Sequence, residues 1–162
     1  MKQTLPDYMR AAMTGAGGTS QPISPREFRA LCYTAARITG GEVLGFDPPP
    51  FDSIKNFMLV AFRFSFRSDR QLIFLLLNHY VRLLACASAP DLAFRVPFAF
   101  VDIPELTAHF EHFCRILKKH ELDCPWMWTQ HDMEACLSSG EIKEINYWRP
   151  GTVGEALFNF WD

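Results

Sequence analysis

An apolar stretch in the first half of the chain, NFMLVAFRFSFR, most constrains how the chain can fold. From Phe57 to Phe62 every residue is apolar, and from there to Arg67 phenylalanine alternates with polar residues. A two-residue period with aromatic side chains is typical of a β-strand that has one buried face. The sequence therefore predicts one strand here, with a partly exposed and basic far end.

The next segment, SDRQLIFLLLNHYVRLLACASAP, is apolar on nearly every side of a helical projection. Its length and its Ala-rich end favour a central buried helix over about residues 70–88. The same residues can instead form the return strand of a hairpin that turns at Ser68 and Asp69. Periodicity alone does not separate a buried helix from a buried strand, so the helix is our expectation and the hairpin its alternative.

Two other segments carry the signals of a helix start. In ISPREFRALCYTAARITGG, Ser24 can cap and Gly40 can end a helix over 25–39. In VDIPELTAHFEHFCRILKKHEL, Asp102 can cap a helix over 103–121. A short strand near Val43 to Phe46 and a short helix from Thr129 to Ser138 complete the prediction.

These elements predict an α+β fold in which helix is the majority and the sheet is small and antiparallel. The chain has 162 residues, 49% of them hydrophobic, which is sufficient for one continuous core. A Gly-rich and Ser-rich stretch follows the first ten residues. We therefore expect a flexible N-terminal segment over residues 1–22 and a single globular domain over 23–162.

Charge is unevenly distributed along the chain, although the formal net charge is only -2. Residues 1–100 contain eleven Lys or Arg against seven Asp or Glu, whereas residues 101–162 contain five against eleven, a local charge of -6. The small net charge does not indicate direct binding to nucleic acid. The acidic third can steer a basic partner toward one face.

The five cysteines are far apart and include no CxxC pair. This spacing favours neither a disulfide framework nor a zinc site, and it suits a reducing, cytoplasmic location. The N-terminal residues lack the apolar region of a signal peptide, and no apolar run reaches the roughly 18 residues of a membrane span. We expect no membrane association.

Catalytic signatures for phosphate binding, dinucleotide binding and serine or zinc hydrolysis do not occur in the sequence. One alternative remains, a metal-dependent enzyme that uses Glu105, His109 and His112. These residues are spaced four and three apart, so on one helix they share a sector, and His120, His131 or Asp132 could add a ligand. Our expectation is nevertheless a protein with no cofactor that is not an enzyme.

The last sixteen residues, YWRPGTVGEALFNFWD, predict a capped terminal helix. Thr152 can cap it and Glu155 is the box partner three residues later. Five apolar residues then share one side of the helix, while Glu155 and Asn159 share the other. These five are Val153, Ala156, Leu157, Phe160 and Trp161. The apolar side can close the core.

The pattern R-P-x-T-V-G-E-x-x-F-N-x-W-D within this tail resembles the C-terminal signature of small bacterial immunity proteins, which are encoded beside contact-dependent inhibition systems or other polymorphic toxins. It covers about a tenth of the chain. The resemblance implies a cytoplasmic protein that binds and neutralises a cognate toxin, and the acidic third suits a basic toxin of the nuclease type. It supplies neither a fold nor toxin-contacting residues.

The segment CPWMWTQHDMEACLSSGEIKE offers the best candidate binding surface. Trp126 and Trp128 flank a methionine, and such side chains bury a large area at low entropic cost in an interface. The predicted contacts with the toxin are these two tryptophans and five acidic residues, Asp123, Asp132, Glu134, Glu141 and Glu144. An adaptor or structural subunit that associates through the aromatic tail is the remaining alternative, and no pattern indicates an oligomeric state.

Overall fold

The structure is a computed structural model that describes residues 7–14, 22–48, 55–66, 69–88 and 98–159. The helices are α1 (Asp7–Thr14), α2 (Pro25–Thr39), α3 (Pro104–Thr107), α4 (Lys119–Leu122), α5 (Gln130–Cys136), α6 (Ser139–Trp148) and α7 (Val153–Leu157). The strands are β1 (Glu42–Phe46), β2 (Phe57–Phe66), β3 (Asp69–Asn78), β4 (Leu83–Ser88), β5 (Ala99–Phe100) and β6 (Arg115–Ile116).

A six-stranded mixed sheet forms the centre of the fold. Its order is β1-β2-β3-β4-β5 with antiparallel neighbours, and β6 joins β4 in parallel. The α+β class is confirmed, but the expected helix-majority fold with a small antiparallel sheet is wrong. The sheet is larger than expected because two further long strands occupy the segment that we assigned to a helix.

The expected helix over residues 70–88 is wrong, and the alternative of a return strand is correct. Of the two expected turn residues, Asp69 is the first residue of β3, and Ser68 lies outside the described residues. β3 returns along β2 with its register running from Phe57 opposite Asn78 to Phe66 opposite Asp69, and β4 then returns along β3. From Ile73 to Asn78 every residue of β3 is buried. In a strand that is covered on both faces, apolar and polar residues do not alternate, so its sequence is similar to that of a buried helix. This similarity explains why a helix was predicted.

Each face of the sheet carries its own hydrophobic core. Phe74 and Leu76 of β3 belong to the core that includes residues of α1 and α7. Ile73, Leu75 and Leu77 alternate with them and belong to the core that includes residues of α2 and α3. The α1 and α7 side is also the one on which residues of α5 and α6 are buried.

The expected helix over residues 103–121 is also wrong. The helix α3 ends at Thr107. A 3₁₀ turn follows at Ala108–Phe110, and the chain then forms β6. The amide of Leu117 donates to the carbonyl of Leu84 at 2.9 Å, so pairing with β4 replaces the continuing helix. Asp102 does not cap α3; its carboxylate accepts a hydrogen bond from the amide of Lys119 at 2.9 Å.

The other local predictions are confirmed. Ser24 accepts a hydrogen bond from the amide of Glu27 at 3.2 Å, and Gly40 ends α2 with a φ of 70°. The predicted strand near Val43 is β1, and Thr129 caps α5. The caps at Ser24, Gly40 and Thr129 depend on neighbours within four residues, and local patterns predict them well.

Part of the N-terminal segment that we expected to be flexible is packed on the core. Residues 7–14 form α1, and its Ala11, Ala12 and Met13 are buried. Residues 1–6 and 15–21 lie outside the described part of the chain, so the boundary at residue 22 stays a prediction. Within the described ranges, no helix has the length and apolar character needed to cross a membrane.

Candidate functional site

The loop before α5 and the turn after α6 are held together by backbone hydrogen bonds. The amide of Trp126 donates to the carbonyl of Gly151 at 3.0 Å, and the amide of Val153 donates to the carbonyl of Cys124 at 2.9 Å. Pro125 and Thr152 form an antiparallel bridge between these two bonds. The segment that contains the paired tryptophans is therefore fixed against the start of α7.

Side-chain caps fix the two helices that follow. Thr129 and Asp132 form a reciprocal capping box at the start of α5, and Ser138 and Glu141 form another at the start of α6. The amide nitrogen of Asn146 donates to the side-chain oxygen of Gln130 at 3.3 Å, which brings the end of α6 beside the start of α5. The sequence prediction missed α6, although S-S-G-E is a capping-box signal.

Trp126 and Trp128 stack on each other, with ring centroids 5.6 Å apart and planes 24° apart. Both are partly buried against the core on the α1 and α7 side. Met127, between them, is 79% exposed. The tryptophans thus support the loop from beneath and place the methionine outward.

Two further aromatic side chains lie at the end of α6. Tyr147 is 76% exposed and Trp148 is 39% exposed, and their rings meet edge to face at 5.1 Å between centroids. The contact between Gln130 and Asn146 places them beside the tryptophan loop. We call Met127, Tyr147 and Trp148 the aromatic surface. The sequence prediction did not include its two members on α6.

The predicted acidic contact residues have different surroundings. Asp123 is paired with Lys119, and Asp132 accepts hydrogen bonds from the amide and hydroxyl of Thr129. Glu134 accepts from the side chain of Gln130 at 2.8 Å, and Glu144 accepts from the indole of Trp148 at 3.2 Å. These last two donors are neutral, and among the described residues no cation forms an ion pair with Glu134 or Glu144.

Glu141, the fifth acidic candidate, is turned inward instead. Its side chain is 8% exposed and binds the guanidinium of Arg10 at 3.0 to 3.3 Å. It also accepts from the amide of Ser138 at 2.6 Å. The carboxylate links α1 to α6, so we leave it out of the contact surface.

The tail begins as the sequence predicts. Thr152 accepts from the amide of Glu155 at 3.2 Å, and Ala156 and Leu157 are buried. The helix α7 ends at Leu157, so the apolar stripe does not continue along one helix; Phe160 and Trp161 lie outside the described residues.

Asn159, expected on the solvent side of the tail, is buried instead. Its amide donates to the side-chain oxygen of Asn56 at 2.7 Å. The amide nitrogens of Asn56 and Asn78 each donate to the carbonyls of both Ala12 and Leu157, at 2.8 to 3.0 Å. We call these three asparagines the asparagine cluster. A single asparagine in a strand gives no sequence signal for such a long-range contact.

The alternative of a metal-dependent enzyme required three ligands on one face of one helix, and the structure does not have this arrangement. Glu105 lies on α3, His109 in the 3₁₀ turn and His112 in the turn after it, so they do not form a row on one helix. Within the described ranges, no three His, Cys, Asp or Glu residues are arranged to hold a metal ion.

A cleft of about 300 Å³ opens between β4, β6 and the segment after β5, and two thiols line it. Burial raises the pKa of Cys86 to about 12 and that of Cys114 to about 11. Both thiols are therefore protonated at neutral pH, which makes them poor nucleophiles.

No family model, curated protein or solved structure matches this chain.

Proposed function

We propose that this chain is a cytoplasmic immunity protein that neutralises a cognate protein toxin by binding it through the aromatic surface. The observation that carries the proposal is the exposure of Met127, Tyr147 and Trp148 on two hydrogen-bonded segments of the acidic third. The resemblance of the tail to immunity proteins supports the class of partner. The five free cysteines support a reducing compartment.

The aromatic surface has the physical properties of a binding hot spot. Large aromatic side chains and methionine bury much area with few rotatable bonds, so ordering them on binding costs little entropy. Here the cost is reduced further, because the rings of Tyr147 and Trp148 already pack against each other and Trp148 is held by Glu144. A partner would meet a surface that is already ordered.

Charge on this surface favours a basic partner. Glu134 and Glu144 border the aromatic residues, and both receive their hydrogen bonds from neutral groups. Carboxylates at the edge of an interface mainly raise the association rate and the specificity of a complex. A toxin that binds nucleic acid through a basic site is the partner that this arrangement suits best.

The residues of the tail signature stabilise the fold, and we do not expect them to contact the toxin. Thr152 and Glu155 start α7, and Gly154 lies so close to the Phe100 ring that an added Cβ would be 2.4 Å from it. These residues keep the tail in place on the sheet. The signature is therefore compatible with a contact surface located elsewhere.

The test is co-expression with a toxin encoded beside this protein, together with calorimetric measurement of binding. We expect growth to be restored and a complex of one to one stoichiometry. Absence of both binding and rescue would contradict the proposed function.

The surface is tested separately with the variants Tyr147→Ala and Trp148→Ala. Each is expected to weaken toxin binding about 30-fold or more, since hot-spot truncations cost about 2 kcal/mol or more. Tyr80→Ala removes another exposed tyrosine and serves as the matched control. Full affinity in both α6 variants would show that the toxin binds elsewhere.

A further inference from the structure

A second surface lies at the opposite end of the sheet order, where β1 is the terminal strand of the described sheet. None of the five residues of β1 is buried, whereas β3 and β4 are buried over most of their length. Leu44 is exposed, and the space around the α-carbon of Gly45 is open. Solvent and a partner can therefore reach this strand.

Helix α2 runs beside this strand and contacts it through side chains. The guanidinium of Arg29 lies 5.0 Å from the centre of the Phe46 ring, and the ring of Tyr33 meets Phe46 edge to face at 5.9 Å. Phe46 belongs to β1, so these contacts place one face of α2 along the sheet edge. Strand and helix therefore adjoin at the sheet edge, and we call the surface between them the groove.

The groove is basic on its helical wall. Arg26, Arg29, Tyr33 and Arg37 follow one another at spacings of three and four residues, so they form one row, and all four are exposed. Among the described residues, no carboxylate forms an ion pair with any of the three arginines. Ile38 adds an exposed apolar side chain at the end of the helix.

We propose that the groove between β1 and α2 binds an extended acidic peptide of a partner protein, which adds to the sheet as a strand beside β1. Peptide backbone groups would pair with β1, as in other complexes formed by strand addition. Acidic side chains of the peptide would meet Arg29 and Arg37, and apolar ones would contact Leu44. This site is separate from the aromatic surface and does not depend on the toxin proposal.

The shape of β1 indicates that backbone pairing alone would bind a peptide weakly. The strand has five residues, and its register with β2 shifts between Val43 and Gly45. A short, bulged edge limits open-ended pairing and offers few backbone hydrogen bonds. Affinity must then come from side chains beside the strand, and the cations of α2 select a peptide of opposite charge.

The experiment uses the full chain labelled with ¹⁵N and three synthetic nonapeptides. The first alternates glutamate and valine, the second alternates lysine and valine, and the third is the first with a central proline. We expect the acidic peptide to shift the amide resonances of Val43 to Phe46 in a saturable way. We expect at least tenfold weaker binding of both other peptides, because one has the wrong charge and the other cannot pair as a continuous strand.

Charge reversal tests the helical wall. The double variant Arg29→Glu and Arg37→Glu is expected to lose at least tenfold in affinity for the acidic peptide. Arg70→Glu is the control, since Arg70 is exposed on β3, with β2 between it and β1. Circular dichroism of each variant establishes that it is folded, and Leu44→Gln, an exposed position, is a second probe if the double variant unfolds.

Three results would overturn the proposal. The first is equal binding of the lysine peptide, and the second is equal binding of the proline peptide, which would show charge attraction without strand addition. The third is the absence of shifts in β1 at millimolar acidic peptide. Toxin neutralisation should be unchanged in the double variant, so a failure here is distinct from a failure of the proposed function.

Discussion

The sheet and the C-terminal helices are stabilised in different ways. β2 and β3 pair over ten residues in one unbroken register, and packing on both faces of the sheet buries them. By contrast α5, α6 and α7 have seven, ten and five residues, lengths at which an isolated helix is marginal in water. These helices each bury only a few apolar residues, and they depend in addition on side-chain caps and buried polar contacts.

This difference explains where a binding surface can lie. Both faces of a central strand are covered, so its aromatic residues pack in the two cores and are not available to a partner. The short C-terminal helices are fixed from within by Glu141 and the asparagine cluster. Their outer sides are therefore free to carry residues such as Tyr147 and Trp148, which the fold does not need.

The largest effect is expected in the sheet, from Phe74→Ala. The side chain is 1% exposed in the core shared with α1 and α7, so its removal should lower the free energy of unfolding by about 3–5 kcal/mol. Leu72→Ala on the same strand, at an exposed position, should cost less than about 1 kcal/mol. Urea denaturation measures both, and equal costs would contradict the central role of β3.

The next effect is expected at the asparagine cluster, from Asn56→Ala. The change leaves the amide of Asn159 without its acceptor and removes one donor from each of two buried carbonyls. We expect a cost of about 2–3 kcal/mol, because Asn78 still donates to the same carbonyls. Asn146→Ala, an exposed control, should change stability by less than about 0.5 kcal/mol. A similar cost in both would show that the cluster adds little.

A smaller effect is expected from Glu141→Gln, which removes the negative charge that Glu141 places beside Arg10. Arg10 is 35% exposed, so water screens part of the loss and we expect about 1–2 kcal/mol. A double-mutant cycle with Arg10→Met isolates the pair from the cap at Ser138. Strict additivity of the two changes would show that the ion pair does not hold α1 to α6, and Glu134→Gln is the matched surface control.

The smallest effect is a pH dependence from His79 at the end of the hairpin. Desolvation, followed by the nearby Lys55, lowers the pKa of His79 below its usual value, while Asp47 acts in the opposite direction. The unfolded chain therefore takes up the proton more readily, so the contribution of His79 to stability is present above about pH 6.5 and is lost as the pH falls. His79→Gln should reduce the fall in unfolding free energy between pH 7.5 and 5. An unchanged pH profile would contradict this assignment.

The sequence predicts local features of this molecule better than distant ones. The caps at Ser24, Thr129 and Thr152 involve neighbours within three residues, and all three are confirmed. The helices expected over 70–88 and 103–121 are strands or broken segments because pairing with β2 and β4 decides their conformation. Apolar content alone does not show which distant edge a segment will join.

The same distinction applies to the candidate site. Trp126 and Trp128 are visible in the sequence as a pair, but their stacked rings form the support of the loop and Met127 is its outward residue. Tyr147 and Trp148 were missed as surface residues because α6 was not predicted. The inward position of Glu141 depends on Arg10, 131 residues away, which no local pattern could indicate.

The asparagine cluster also bears on the order in which the chain can fold during synthesis. Asn56 and Asn78 bind the carbonyls of both Ala12 and Leu157, residues at nearly opposite ends of the described chain. The residues around Leu157 leave the ribosome after the strands, so the strands can pair while α1 still has only part of its final contacts. Completion of this cluster is then a late step in folding, because it joins the most distant segments of the described chain.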